Sequence, residues 1–153
     1  MKKISKHISF NESTHSQYAK ENSILNKPTA EHIKNMELLA EKVFEPLREW
    51  VKKPIRVNSM FRSEKLNTAL KGSHTSSHLT GNAIDITSME GKSNLEMFHY
   101  IKDNLDFDQL IWEFGQEPRW LHVSYKNEKE NRNQILVTKR KGIYHTYNNC
   151  KTC

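Results

Sequence analysis

Only two cysteines occur, Cys150 and Cys153, both at the extreme C-terminus, so no disulfide can staple the body of the chain. No stretch approaches the roughly 20 consecutive apolar residues of a membrane span. Hydrophobic residues make up only 35% of the 153, and a membrane-spanning helix is not expected. Met1-Lys2-Lys3 has the charge of a signal-peptide start, but Ser5, Lys6, His7 and Ser9 interrupt any apolar run. No export signal is therefore expected, and synthesis in the cytoplasm is. Internal repeats and low-complexity segments are also missing. The mean hydropathy of −0.83 is low, yet 3 Trp, 6 Phe and 5 Tyr fall in patterned segments, which excludes disorder.

What the chain has in excess is positive charge. Twenty-four Lys and Arg against 18 Asp and Glu give a formal charge of +6. That balance suits an anionic partner, whether nucleic acid, a membrane surface or a bacterial cell wall, without choosing among them. No helix with clustered Arg and no aromatic stacking platform stands out, so a nucleic-acid partner is not expected.

Apolar residues recur at helical spacing from Ile33 to Trp50, and Thr29 is placed to cap a helix over 29–51. Pro46 should kink or divide it. A strand is predicted over 55–61, a short helix over 63–70 with Ser63 as cap, a polar loop over 71–82 and a strand over 83–87. A helix follows over 93–105, then strands over 107–113, 120–125 and 134–139. Helices lead and strands cluster late, which predicts an α+β fold with helices packed on a mainly antiparallel sheet. Residues 1–139 read as one domain and 140–153 as a basic tail that frays.

Chemistry concentrates between Ser76 and Asp85. His78 lies in the loop, Gly81 allows a turn, and Asp85 stands in the strand that follows. A turn of this length can bring an imidazole and a carboxylate to one point, and both suit Zn²⁺. A third ligand is offered by His122, which alternation places opposite to Leu121 and Val123. Two His and one carboxylate leave a coordination position open, as in hydrolytic zinc sites. Spacing alone leaves the alternative that His78 is merely a solvated loop histidine. His74 reads as solvated, His99 as a surface or boundary residue, and Trp112 and Trp120 as packing residues, although Trp120 could line a cleft.

The pattern His78-x-x-Gly81-x-Ala83-x-Asp85, followed by Trp120-x-His122-x-Ser124, resembles the zinc D-alanyl-D-alanine carboxypeptidase family. That family includes phage endolysins and shares its fold with the hedgehog signalling domain. The strand ending in Arg62, the approach at Leu66-Asn67 and Gly72-Ser73, and Phe107-Asp108 through Glu113 fit as well, so the resemblance covers about residues 5–125. It implies a zinc peptidase acting on peptidoglycan stem peptides, as a carboxypeptidase or an endopeptidase. The missing export signal suggests a phage or prophage lytic enzyme brought to the wall by another protein, and a monomer without nucleic-acid or membrane partner is expected. His78, Asp85 and His122 are the implied ligands, Arg62 a substrate-holding and catalytic residue, and Ser76 a substrate contact.

In several branches of the family the proton-transferring acid lies three residues before the last His; here that position is Arg119, which cannot serve. Glu113 and Glu117 remain. Glu113 is preferred, because pairing with Trp120 would put it on the face of His122. The hedgehog resemblance leaves a second reading open, a non-catalytic zinc-stabilised binding module. Cys150-x-x-Cys153 reads as a reduced tail rather than a metal knuckle, since no second such pair accompanies it.

Overall fold

A computed structural model describes residues 2–147; the reading of Cys150 and Cys153 lies outside them. Strands β1 (Lys3–Ser5) and β2 (Ile8–Ser9) form a small antiparallel ribbon, followed by the short helices α1 (Phe10–Thr14) and α2 (Gln17–Glu21). None of these four was expected. They are too short for hydrophobic periodicity, but Ser9 and Glu12 cap α1 reciprocally, the Ser-x-x-Glu signature of a helix start.

The long helix begins where expected. Thr29 accepts from the backbone N–H of His32, whose ring bonds back to Thr29 N, and α3 runs Ala30–Leu39. Pro46 divides it in a particular way. Proline has no N–H for the preceding turn, and the chain opens into a π-helical turn over Ala40–Phe44, with Glu45 N donating to the carbonyl of Ala40. Helix α4 (Glu45–Val51) then takes Pro46 in its first turn, where no donor is missed.

Strand β3 covers Ile55–Ser59, two residues shorter than predicted. Met60 and Phe61 leave the sheet to be buried in the core, and Phe61 N bonds the carbonyl of Ser13 instead of a strand. Helix α5 (Glu64–Ala69) carries the expected Ser63 cap. A 3₁₀ turn over Ser77–Thr80 sits in the predicted loop before β4 (Ala83–Ser88). Helix α6 (Asn94–Asn104), β5 (Gln109–Glu113), β6 (Trp120–Ser124), β7 (Gln134–Arg140) and β8 (Ile143–Thr146) complete the described chain.

Six strands form one sheet in the order β3-β4-β6-β5-β7-β8, antiparallel except for the pair β5–β7. This is the predicted α+β architecture, with one correction. The stretch from 140 on, expected to fray, holds β8, which pairs with β7 across a turn that places Gly142 at φ +81°. All four residues of β8 are exposed, so no burial alternation marks it in the sequence. Among the described residues, no helix is long and apolar enough to cross a membrane.

One face of the sheet is the core. Ile84, Ile86, Leu121, Val123 and Leu110 meet Met36, Val43, Phe44 and Leu47 of the long helix and Met97, Phe98 and Ile101 of α6. Each large apolar side chain so buried contributes roughly 1.5–3 kcal/mol. Alternation then obliges Asp85, between Ile84 and Ile86, to point to the opposite face. The long β6–β7 connection is pinned by an ion pair between the buried Asp108 and the half-exposed Arg132. Asp108, with no exposure, receives Arg132 Nε and Nη2 at 2.9 Å each and the Arg132 backbone N–H at 3.1 Å.

Gly81 closes the 3₁₀ turn at φ +80°, and a Cβ there would lie 2.5 Å from the carbonyl oxygen of His32. A side chain at this position is strained by the left-handed backbone and collides with α3. Gly81→Ala should therefore destabilise the fold by more than the ~1–2 kcal/mol of the backbone conformation alone, read as a lowered denaturation midpoint. A midpoint equal to wild type would show that the turn is not pressed against α3.

Candidate metal centre

His78 is held by its turn and by its ring. Ser76 caps the turn, its Oγ accepting from His78 N at 3.2 Å. Because β3 has ended at Ser59, the Met60 carbonyl is free of the ladder and accepts from His78 Nδ1 at 2.6 Å. That bond fixes the proton on Nδ1 and leaves Nε2 as a bare lone pair. The atom is buried and has no hydrogen-bond partner, although Asp85 Oδ1 lies only 3.3 Å away. Burial, stronger than the attraction of Asp85, holds the His78 imidazole below its ordinary pKa.

Asp85 and His122 face one another directly across the β4–β6 ladder. Asp85 Oδ1 is 2.9 Å from His122 Nδ1, and its Oδ2 accepts from Arg62 Nη2 at 3.3 Å. Burial is the largest single influence on Asp85 and pushes it up. The charges and hydrogen bonds of His78 and His122 together outweigh it, leaving the carboxyl well below the usual range. The ligand atoms of His78, Asp85 and His122 all lie within 4.8 Å of one another.

These three groups fit a divalent cation. An orphaned, buried imidazole lone pair beside a carboxylate needs a cation or a donor. The Met60 carbonyl supplies the outer-shell acceptor that ligating histidines use. Two nitrogens and one oxygen form a donor set suited to zinc.

Glu113 pairs with Trp120 in the β5–β6 hairpin, so it shares the face of His122. It is 9% exposed, and burial pushes its carboxyl up to about 7, against the pull of His122 and with the push of Asp85. Glu117 and Arg119 are exposed in the turn beyond β5. Arg62 is braced by Ser59, whose Oγ accepts from Nε at 2.9 Å, and its guanidinium reaches Asp85. The structure thus brings His78, Asp85, His122, Arg62 and Glu113 together, while Ser76 supports the turn that holds His78. His74 is exposed. Trp112 packs on Phe98 and Tyr147, and Trp120 on Phe114.

A cleft of about 400 Å³ opens beside Asp85 and Arg62, with Trp120, Asn58, His15 and Gln17 among its walls. His15 and Gln17 escape sequence reasoning, because they come from the unexpected α1–α2 segment and carry no motif.

No curated protein matches the sequence. The family model described as Peptidase M15 matches residues 6–124. The matched segment spans β3 through β6 and so takes in Arg62, His78, Asp85, Glu113 and His122, the residues the fold has gathered at one point. By that match, the chain belongs to the peptidase M15 family, a family of metal-dependent peptidases.

Proposed function

We propose that the chain is a zinc peptidase that hydrolyses amide bonds of bacterial peptidoglycan stem peptides, as a carboxypeptidase or an endolysin-type endopeptidase. The observation that carries this reading is the buried His78–Asp85–His122 group with Glu113 beside it on one face of the sheet. A donor set of two imidazoles and a carboxylate supports zinc. The formal charge of +6 supports action at an anionic wall. The protein works there as a monomer, delivered by another protein, with no nucleic-acid or membrane partner.

Zinc bound at this site supplies a Lewis acid that acidifies water and polarises the amide carbonyl. Glu113 takes the proton of the attacking water and passes it to the leaving amine nitrogen. Its place beside His122, on the same face of the sheet, suits a carboxylate to both halves of that transfer. The exposed Glu117 lacks such an environment. Arg62 holds a substrate carboxylate or the developing oxyanion with its planar fork. Ser76 offers its hydroxyl to the substrate while its lone pair holds the His78 turn. The experiment is release of new amino groups from purified peptidoglycan. It should require zinc and Glu113; a folded, zinc-loaded chain that releases none would favour a binding module.

Arg62→Lys separates recognition from structure. Lysine keeps the charge but loses the fork. Zinc content and fold should persist, while kcat/KM falls about 10- to 150-fold, the worth of a charge-assisted hydrogen bond. Unchanged activity would remove Arg62 from the site. Loss of zinc with the activity would make it a positioning residue for Asp85.

A further inference from the structure

The sheet continues past Glu113 through β7 to β8, whose turn reaches back so that Lys141 Nζ lies 3.5 Å from the Leu70 carbonyl at the cleft, and its register sets out a row of side chains. Trp120 faces Glu113, Glu113 lies beside Thr138, and Thr138 faces Tyr144. Paired residues project from one face. Tyr144 therefore stands on the metal-bearing face two strands beyond Glu113, about 10 Å away at ordinary strand spacing. Between them Thr138 is short and buried, with its hydroxyl donated to the Arg140 carbonyl at 2.7 Å, so no bulky side chain divides the row.

Tyr144 is 51% exposed, open to a ligand. Its hydroxyl is a donor at neutral pH, as any tyrosine's is, and burial, then the negative charges of Glu113 and Asp85, raise its pKa further. The strand beneath is held firmly, because the Asp108–Arg132 ion pair pins the entry to β7. Both β7 and β8 follow the segment that the family model matches, which ends at residue 124.

We infer that Tyr144 is a substrate-contacting residue. It forms the far wall of a groove that crosses the metal ligands from the cleft to β8, and donates its hydroxyl to an oxygen of the bound peptide. The scissile amide would then lie between two half-sites, one walled by Asn58 and Trp120 and the other by Tyr144. This deepens the peptidase reading and rests on it.

The test is steady-state hydrolysis of a defined muropeptide by the zinc-loaded full chain, with zinc content and melting temperature measured alongside. Tyr144→Phe keeps the ring and removes one neutral hydrogen bond, so KM should rise about 3- to 10-fold with kcat unchanged. Tyr144→Ala should raise KM further. Both should keep wild-type zinc content and melting temperature. His145→Ala, on the opposite face of the same strand, should change nothing. A Tyr144→Phe enzyme with wild-type KM overturns the assignment, as does a KM loss shared by His145→Ala, which would report only hairpin integrity. The wild-type arm decides the parent reading separately: no hydrolysis there overturns the peptidase proposal and this inference with it.

Discussion

Glu113→Gln is expected to keep zinc in place and to slow peptide hydrolysis by about 10²–10⁴-fold, the usual worth of a positioned general base. Glutamine preserves the size of the side chain and its hydrogen-bonding oxygen but cannot accept a proton. Loss of fold is checked by melting, and the direction of the pKa shift says what to expect there. Burial pushes Glu113 up to about 7 from an ordinary value of about 4.5. The folded metal-free chain therefore holds that proton more tightly than the unfolded chain. Its stability falls as pH rises through that window, and the full penalty is present above about 7. Glutamine carries no such penalty. Metal-free Glu113→Gln should melt no lower than wild type, with its advantage growing between pH 4.5 and 7. If Glu117→Gln is the crippled variant instead, the proton is carried from the exposed turn and Glu113 is a buried spectator.

His78→Ala should abolish metal binding and hydrolysis together. The ring supplies a lone pair already aimed at Asp85 and His122, held there by the Met60 carbonyl. Losing an outer-shell partner alone typically costs 10–100-fold in affinity, and losing the ligand itself should cost at least about that. Zinc should raise the melting temperature of wild type, since it binds the folded state only, and should leave that of His78→Ala unmoved. His74→Ala is the control: four residues earlier and exposed, it should match wild type in both measurements. A His78→Ala chain that binds zinc as wild type does would remove His78 from the centre.

The candidate ligands are partly legible in the sequence. A turn with Gly81 between His78 and Asp85 can bring the two close, but spacing alone leaves His78 open to being a solvated loop histidine. The alternation of Trp120–Ser124 sends His122 away from the core, and the family resemblance, not local chemistry, joins it to the other two. The role of Glu113 depends on register. The β5–β6 hairpin does pair Glu113 with Trp120, but a slip of one residue would have turned the carboxylate into the core.

Other features could not be read, for physical reasons. The ladder break after Ser59, which frees the Met60 carbonyl for His78, is a tertiary choice. Met60 and Phe61 are buried in the core instead of continuing the strand. The π turn before Pro46 answers a missing donor that could as well have kinked or ended the helix. Strand β8 has no buried face to pattern it, and only Gly142 hints at the hairpin. The cleft wall at His15 and Gln17 depends on how short N-terminal helices pack, which no periodicity reports.

The central claim is that His78, Asp85 and His122 hold a zinc ion with which Glu113 drives amide hydrolysis in cell-wall peptides. Its most direct test is mass spectrometry of defined muropeptides incubated with the zinc-loaded chain, the chelated chain, and the chelated chain resupplied with zinc. The predicted result is addition of one water across a stem-peptide amide bond, lost on chelation and restored by zinc. Intact muropeptides in the presence of a folded chain with one zinc bound would contradict it, leaving a zinc-stabilised binding module in its place.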